Sequence, residues 1–344
     1  MYPIVSVILP VHNASQWISE SLASVSQQNY QGPIELSVYD DASTDDSGRV
    51  IERWCNTLGN SKFTLKISGH EGKPHGVGFA KNQAIAQSTG EYLCFLDADD
   101  VMHPDRIKNQ LELAQMSKQA IVGCKFHREP ADSTQRFTNW ANNLSEDQLY
   151  TQVYMSHGPT VIMPTWFCHR NVIQAVGGFD ESGKGTPEDL IFFFKHLMLG
   201  GKVLRSNTDL LMYRYHPQAE TFSIAEATIW NLRVKFLESQ ILNSWESFAI
   251  WNAGKQGRKL FRSLSSVNRK KVSMFCDVDS KKIDKKFYTY EVSKEVPKPK
   301  VAIVHFTQVR PPVILCIKLN LSGNFDQNLR SLRFKEGRDF IHFN

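Results

Sequence analysis

Short apolar runs alternate with stretches of helical pattern along the first half of the chain. The apolar runs predict strands at residues 4–9, 34–39, 63–67, 91–96 and 120–124. The stretches between them predict helices near residues 14–28, 43–57, 76–88 and 104–117. Because parallel strands need a crossover connection, usually a helix, this alternation predicts an α/β fold with a mostly parallel sheet and helices on both faces.

A second series of strands and helices starts near residue 247. Phe248–Trp251 predicts a strand, a helical run follows to Leu264, and Val272–Cys276 predicts the next strand. Later strands are predicted at residues 301–305 and 313–317. This order predicts a second, smaller α/β domain.

The length of the chain agrees with two domains of ordinary size, since it has 344 residues. We expect the first domain over residues 1–240 and a Rossmann-like domain over residues 247–344.

The first helix of the second domain follows a glycine-containing turn. Asn252, Gly254 and Gly257 have the spacing of a Rossmann βαβ fingerprint, with Asn252 in place of its first glycine, and Asp277 comes twenty residues after Gly257. Two interpretations remain open: this domain binds a nucleotide, or its basic residues bind the phosphates of a larger acceptor.

Polar clusters follow three of the predicted strands in the first domain. They are Pro10-Val-His-Asn13, Asp40-Asp-Ala-Ser-Thr-Asp45 and Asp97-Ala-Asp-Asp100. In open α/β sheets, ligands bind outside the carboxyl ends of the strands, so the three clusters are expected at one edge. The sequence therefore predicts a nucleotide-binding site there.

The cluster from Asp97 to Asp100 places three carboxylates directly after an apolar strand. So much negative charge at a strand end is costly unless a cation lies beside it. A hard divalent ion, Mn²⁺ or Mg²⁺, that also binds the phosphates of a nucleotide is the natural partner. An acidic turn with no ligand is the alternative.

Cysteine content and the amino terminus bear on the compartment. The six cysteines are scattered without a CxxC or Cys/His pairing, so we expect neither a disulfide framework nor a zinc site. The apolar run at residues 4–9 is short and lacks a basic flank, so we expect a buried strand rather than a signal peptide or membrane anchor. We expect a cytoplasmic protein without a membrane partner.

Positive charge is concentrated in the second domain. The formal net charge of the chain is +5, yet residues 255–300 alone contain fourteen Lys/Arg against five Asp/Glu. Such a block suits a polyanionic partner such as RNA, and a solvated lysine-rich surface is the alternative.

Four motifs in the first domain resemble the donor-binding half of family 2 glycosyltransferases of the GT-A fold. They are Val7-Ile-Leu-Pro-Val-His-Asn13, Tyr39-Asp-Asp-Ala-Ser-Thr-Asp45, Gly78-Phe-Ala-Lys-Asn82 and Leu96-Asp-Ala-Asp-Asp100. The resemblance implies a nucleotide-diphospho-sugar transferase with a uridine pocket formed by Pro10, Val11, His12, Asn13, Asp40, Asp41 and Lys81. It further implies that Asp97, Ala98 and Asp99 contact the ribose, and that Asp99 binds the metal.

The segment Thr186-Pro-Glu-Asp189 places two carboxylates at the start of an apolar helical run. Transfer of a sugar with inversion needs a base for the acceptor hydroxyl, and carboxylates at this position can also simply favour the start of a helix. The segment resembles the family's Glu-Asp motif, which implies Asp189 as catalytic base and Glu188 as a residue that positions a sugar.

Arg214 and His216 follow another strand-like run. Residues two apart in an extended segment point the same way, and these two side chains suit a diphosphate and its metal. The resemblance implies that His216 is a metal ligand and that Arg214 contacts the donor.

Acceptor contacts are expected from Trp166, Lys255, Arg258 and Lys259. Trp166 lies where this family covers the acceptor pocket and could stack on a sugar or a base, although a core tryptophan fits the pattern equally well.

Over its whole length the chain resembles a tRNA-modifying member of this family. That resemblance implies transfer of galactose from UDP-galactose to the queuosine nucleoside at the anticodon of tyrosine tRNA. Two alternatives are a UDP-N-acetylglucosamine-dependent transferase acting on a glycan and a tRNA-binding module that no longer turns over.

Overall fold

The computed structural model describes residues 2–58, 63–317 and 324–344. The chain divides into two units. The first runs to Leu149 and continues from His157 to Ala225, and the second comprises Tyr150–Ser156 and Glu226–Asn344. The expected boundary at residues 240–247 therefore lies inside the second unit, because the helix that starts at Glu226 groups with the strands that follow it.

The first unit confirms the predicted alternation of strands and helices. Its strands are β1 (Val5–Val11), β2 (Ile34–Asp41), β3 (Phe63–His70), β4 (Tyr92–Phe95), β5 (Val101–Met102), β6 (Ala120–Glu129), β7 (Phe167–His169) and β8 (Lys202–Arg214). Its helices are α1 (Ile18–Ser26), α2 (Ser47–Leu58), α3 (Val77–Gln87), α4 (Arg106–Met116), α5 (Gln135–Asn143), α6 (Gln148–Thr151, which ends in the second unit), α7 (Arg170–Val176) and α8 (Glu188–Met198).

The eight strands form one mixed sheet in the order β3-β2-β1-β4-β7-β6-β8-β5. Strands β3, β2, β1 and β4 run parallel, whereas β7 is antiparallel to both of its neighbours. Every residue of β1 is buried, which explains why it reads as a continuous apolar run. The sequence predicted the parallel part and gave no sign of β7, whose three residues are too few to show a pattern.

Residue register places the ends of the parallel strands together. Val11 pairs with Asp40 across β1 and β2, and the Leu96 amide donates to the carbonyl of Ile8. The loops that follow β1, β2 and β4 therefore leave the sheet at one edge.

The second unit contains a smaller sheet. Its strands are β9 (Phe248–Trp251), β10 (Val272–Asp277), β11 (Phe287–Thr289), β12 (Lys300–His305), β13 (Val313–Leu315) and β14 (Phe340–His342). Its helices are α9 (Glu226–Leu237), α10 (Lys255–Ser263), α11 (Ser266–Lys270), α12 (Ser280–Ile283) and α13 (Phe325–Ser331).

The order of this sheet is β11-β12-β10-β9-β13-β14, and all strands except β11 run parallel. The chain order therefore reverses between β9 and β13, as in a Rossmann-like domain. Trp251 and Phe306 stack in its core with ring centroids 5.3 Å apart. Gly257 lets α10 lie against the end of β9, because a Cβ there would meet the Asn252 carbonyl oxygen at 1.9 Å.

Within the described ranges, none of the helices combines the length and the apolar character needed to cross a bilayer.

Candidate functional site

The loop after β1 is fixed by the loop after β2. His12 Nδ1 lies 2.7 Å from the Asp41 carbonyl oxygen, and the Asn13 amide donates to Ser43 Oγ over 2.9 Å. Asn13 Oδ1 accepts from the Thr44 amide, and Asn13 itself has a φ of 48°, which asparagine tolerates better than most residues. Pro10 and Val11 are buried within β1, so of the first predicted cluster only His12 and Asn13 expose their side chains.

The two aspartates at the end of β2 have different roles. Asp41 is buried, and its two carboxylate oxygens accept from the amides of His75 and Gly76. It therefore anchors the loop that leads into α3. Asp40 accepts from the Ser43 amide through Oδ1 and is partly exposed. Of the pair, only Asp40 has a carboxylate oxygen accessible to a ligand.

Asp97, Asp99 and Asp100 form an acidic cluster after β4, since one carboxylate oxygen of each lies within 4.8 Å of the others. Ala98 between them is buried. Asp97 Oδ1 and Asp100 Oδ2 are buried and have no hydrogen-bond partner among the described residues. Burial raises the pKa of Asp97 to about 6, with Lys81 opposing the rise, and burial also raises the pKa of Asp100 well above its ordinary value.

Two orphaned buried carboxylate oxygens beside a third carboxylate fit a hard divalent cation. His216 lies beside this cluster, because its Nε2 is 2.7 Å from Asp99 Oδ2. This hydrogen bond raises the pKa of His216 against its partial burial. The structure thus brings together the two residues expected to bind metal, Asp99 and His216.

Arg214 supports this cluster from the protein side. Its Nε donates to the Asp99 carbonyl over 2.9 Å, its backbone amide donates to Asp100 Oδ1, and its Nη2 donates to Glu20 Oε2 over 2.7 Å. The guanidinium also lies 4.4 Å from the centroid of the Trp17 ring. Arg214 is therefore buried and bonded within the protein, and we assign it to positioning the acidic cluster rather than to direct donor contact.

Lys81 and Glu188 form a buried ion pair beside the acidic cluster. Lys81 Nζ donates to Glu188 Oε1 over 2.8 Å, and the two side chains are 3% and 9% exposed. Helix α3 can approach the segment before α8 because residue 78 is glycine. A Cβ added at this position would lie only 2.0 Å from the Asp180 carbonyl oxygen. Burial lowers the pKa of Lys81, but Glu188 and Asp97 outweigh it and the pKa is raised overall.

Asp189 follows Glu188 in the first turn of α8 and is partly exposed. Its Oδ1 accepts from the Leu190 amide over 2.6 Å. The pKa of Asp189 is raised to about 7. Burial contributes most to this rise and the charge of Glu188 adds to it, while Lys81 opposes it. A carboxylate with this pKa can both accept and hold a proton near neutral pH.

Trp166 lies in the core, which corrects the acceptor interpretation. It is 1% exposed, its Nε1 donates to the Val161 carbonyl, and its ring packs against Phe179, Phe192 and Phe193. A ring enclosed on all sides has no face for a sugar or a base. Trp166 is therefore a core residue and does not bind the acceptor.

The expected basic residues of the second unit lie on α10. Lys255 is exposed and has no ion-pair partner among the described residues. Arg258 lies 4.8 Å from the Tyr288 ring centroid, and Lys259 pairs with Glu226 over 3.0 Å and lies 3.9 Å from the Trp230 ring. Of the three, Lys255 has the freest charge.

The Rossmann-like turn of the second unit is filled by its own side chains. Asp277 Oδ2 accepts from the Ala253 amide, and Lys282 Nζ lies 3.0 Å from the same oxygen. Asn252 Oδ1 accepts from the Gly254 amide. Because the acidic residue that would bind a ribose is buried and bonded, the structure disfavours a dinucleotide in this unit.

Sequence reasoning missed the residues that hold these groups in place. Trp17 and Glu20 lie at and beside the start of α1 and contact Arg214 almost two hundred residues later. Asp45 accepts from Ser15 and Ser47, bonds that outweigh burial and lower its pKa to about 2, so it fixes the loops after β1 and β2. No local pattern marks contacts over such distances, although Trp17 beside a polar loop was a visible signal.

The site combines the acidic cluster at the carboxyl end of a parallel strand with His216, the buried Lys81 ammonium and Asp189, whose pKa is raised. Together with the sheet order, it defines a sugar transferase of the GT-A type. The chain belongs to glycosyl transferase family 2, whose model matches residues 6–177, half of the chain.

Two curated relatives are similar over parts of the chain. The glycosyltransferase GlyG of Streptococcus pneumoniae is 23% identical over 223 residues, which cover 62% of this chain and 71% of GlyG. The poly(ribitol-phosphate) β-N-acetylglucosaminyltransferase TarS of Staphylococcus aureus is 34% identical over 105 residues, which cover 30% of this chain and 18% of TarS. The similarity to TarS thus spans less than a fifth of that protein.

Solved structures share the fold. TarS 1–349 from S. aureus in complex with UDP-GlcNAc has a TM-score of 0.53 at 18% identity, covering 77% of this chain and 72% of that one. The mannosyltransferase PcManGT from Pyrobaculum calidifontis, in complex with GDP-Man and Mn²⁺, has a TM-score of 0.53 at 22% identity, covering 70% and 65%. At these identities the similarity establishes the GT-A fold.

Proposed function

We propose that this chain is an inverting, metal-dependent glycosyltransferase that transfers galactose from UDP-galactose to the queuosine nucleoside at the anticodon of tyrosine tRNA. The observation that carries the transferase chemistry is the position of Asp189. It is a partly exposed carboxylate with a pKa raised to about 7, one residue from the buried Lys81–Glu188 ion pair.

The acidic cluster and His216 fit the divalent ion that the proposal requires. Asp99 and His216 would hold a Mn²⁺ or Mg²⁺ ion, with the orphaned oxygens of Asp97 and Asp100 beside it. Such an ion, when bound, neutralises charge that develops on a departing diphosphate. Arg214 keeps the cluster in place through its bonds to Asp99 and Asp100.

In the proposed reaction, Asp189 takes the proton from an acceptor hydroxyl. The hydroxyl oxygen forms a bond to the anomeric carbon while the bond from that carbon to the diphosphate oxygen breaks, and UDP leaves with the electron pair. A single displacement of this kind inverts the configuration at the anomeric carbon. Glu188 holds the ammonium of Lys81 beside Asp97, so the acidic residues at this edge are partly neutralised before any ligand binds.

Donor contacts come from the loops at the same edge. His12, Asn13 and Asp40 have exposed or partly exposed polar groups there and would bind the uridine, while Pro10, Val11, Ala98 and Asp41 shape the loops from buried positions. Asp97 would contact the ribose. These assignments follow the family resemblance and use only side chains that the structure leaves within reach.

The acceptor assignment is supported by the whole-chain resemblance and by the charge of the second unit. Of the five acidic residues between 255 and 300, four are already in ion pairs with Lys or Arg, namely Asp277, Asp279, Glu291 and Glu295. Most of the fourteen basic residues therefore remain uncompensated. RNA phosphates supply the negative charge that such a surface attracts. A tRNA acceptor would place the reaction in the cytoplasm.

A second candidate is a UDP-N-acetylglucosamine-dependent transferase acting on a glycan or polyol phosphate. The similarity to TarS, a poly(ribitol-phosphate) β-N-acetylglucosaminyltransferase, favours it. This candidate gives no role to the basic surface of the second unit beyond solvation or binding of acceptor phosphates.

The test is incubation of the protein and Mn²⁺ with each of several UDP-sugars and with tyrosine tRNA that contains or lacks queuosine, followed by nucleoside mass analysis. A hexose added to queuosine from UDP-galactose alone supports the proposal. Transfer of N-acetylhexosamine to a saccharide or polyol phosphate, with no change in the tRNA, would replace it with the second candidate.

A further inference from the structure

Two exposed aromatic rings contact each other just beyond β8. Tyr215 and Phe222 are 38% and 57% exposed, and their ring centroids lie 5.8 Å apart in an edge-to-face arrangement. Contiguous exposed apolar surface is one mark of a site that binds a ligand or a partner. Both rings belong to the segment that contains His216 and ends at Ser223, which we call the 215–223 segment.

The 215–223 segment contacts both the acidic cluster and the loop that precedes α8. On one side, Tyr215 directly precedes His216, whose Nε2 bonds to Asp99, and the Tyr215 amide donates to the Glu129 carbonyl. On the other side, the Gly185 amide donates to Glu220 Oε1 over 3.4 Å. Gly185 is four residues before Asp189, so the 215–223 segment contacts the loop before α8 as well as, through His216, the acidic cluster.

A cationic group lies beside Tyr215. The guanidinium of Arg128 is 5.8 Å from the centroid of the Tyr215 ring and 3.7 Å from that of Tyr213. Aromatic faces next to a guanidinium suit a ligand that carries both flat bases and phosphates, because bases stack on aromatic rings and phosphates attract the cation. A neutral saccharide would use the rings but not the charge.

We propose that Tyr215 and Phe222 form an acceptor-binding platform on which a base of single-stranded RNA stacks, next to the nucleoside that receives the sugar. This inference rests on the proposed RNA acceptor and adds the residues that hold it. The platform binds one base of the tRNA anticodon loop and thereby brings the acceptor hydroxyl to Asp189.

Substitution of Phe222 separates stacking from apolar contact. Phe222→Leu keeps an apolar side chain but removes the aromatic face, whereas Phe222→Trp keeps an aromatic face. We expect the Leu variant to raise the KM for the tRNA about 10-fold, which corresponds to about 1.4 kcal/mol. The Trp variant should have a KM close to that of the wild type. Binding of UDP and Mn²⁺, measured by calorimetry, should not change in either variant.

The matched control is Leu199→Ala, which removes an equally exposed apolar side chain (58%) at the far end of α8. It should leave the KM for the tRNA unchanged. If Phe222→Leu has the same tRNA KM as the wild type, or if it weakens UDP or Mn²⁺ binding to a similar extent, the platform is refuted.

Failure of the platform and failure of the proposed function have different signatures. A wild-type enzyme that modifies only a saccharide refutes the RNA acceptor, and with it the base-stacking platform. A wild-type enzyme that modifies tRNA, with Phe222 variants of unchanged KM, refutes the platform alone.

Discussion

The Lys81 ammonium donates to the Glu188 carboxylate over 2.8 Å, although 107 residues separate the two in the chain. Both side chains are buried, and each lies beside an acidic group of the site. The Lys81 charge lowers the pKa of Asp97 and of Asp189 below the values that burial alone would produce. This pair therefore governs how much negative charge the site can carry.

Loss of one partner of this pair should destabilise the fold strongly. Lys81→Met leaves the Glu188 carboxylate buried without its cation, and we expect a loss of about 3 kcal/mol in the free energy of unfolding, measured by urea denaturation. The double variant Lys81→Met with Glu188→Met should recover most of this loss. Lys118→Met, which breaks an exposed pair with Glu91, is the control and should cost below about 1 kcal/mol. Equal costs for the two lysines would contradict the buried pair.

Asp189→Asn should abolish transfer and leave donor binding intact. The amide cannot accept the acceptor proton, so we expect kcat to fall by about 100-fold or more, with the Kd for UDP unchanged. In the wild type, Asp189 must be ionised to act as base. Because its pKa is raised to about 7, kcat/KM at saturating Mn²⁺ should fall about tenfold per pH unit below pH 7 and level off above it. Normal turnover by the variant would remove Asp189 from this role.

The same substitution should make the protein more stable at high pH. The pKa of Asp189 is about 7 in the folded protein, against an ordinary value of 3.8. Between these values the folded state holds a proton that the unfolded state has lost, so this group makes stability fall as pH rises from about 4 to 7. Asp189→Asn removes that dependence. We expect its Tm to exceed that of the wild type by roughly 5 °C at pH 8, and by little at pH 4.5, in differential scanning fluorimetry. A lower Tm at pH 8 would contradict the raised pKa.

Trp17 should matter for metal binding although it is not a ligand. Its ring contacts the Arg214 guanidinium and lies 5.7 Å from the His216 ring. Without it, Arg214 and His216 lose the surface that orients them, and we expect Trp17→Leu to weaken Mn²⁺ binding about 10-fold in calorimetric titration. Trp54→Leu is the control, since Trp54 bonds to Ser19 outside the site. Equal Mn²⁺ affinity in both variants would show that Trp17 has no such role.

Charge reversal on α10 should weaken tRNA binding and flatten its salt dependence. Lys255 and Arg262 lie two turns apart on this helix, both are exposed, and neither is in an ion pair with a described residue. Lys259 is a poorer choice because it pairs with Glu226. For Lys255→Glu with Arg262→Glu, we expect the negative slope of log K against log salt to become less steep by about 1 per lost phosphate contact, measured by filter binding.

Lys108→Glu with Lys202→Glu changes the same number of exposed charges in the first unit and is the control for that experiment. If both double variants bind tRNA equally, the basic surface of the second unit is a solvated surface.

Much of the fold could be read from local patterns. Strands β1, β2 and β4 of the parallel part are largely apolar and buried, and the helices between the strands are long enough to show their periodicity. Strand β7 could not be found, because three residues give no period and its place depends on antiparallel pairing with β4 and β6. The unit boundary was also missed, since α9 joins the second unit through contacts that its own sequence does not encode.

The sequence by itself determined which groups the site contains. Acidic, basic and histidine residues at strand ends and at the start of α8 are local features, and chain order brings strand ends to one edge of a parallel sheet. Only the tertiary structure decided the state of each group. It buried Trp166, bonded both oxygens of Asp41, enclosed Arg214 against Trp17 and paired Lys81 with Glu188. Burial and the charge of Lys81 come from neighbours that are distant in the chain, and together with the adjacent Glu188 they set the pKa of Asp189.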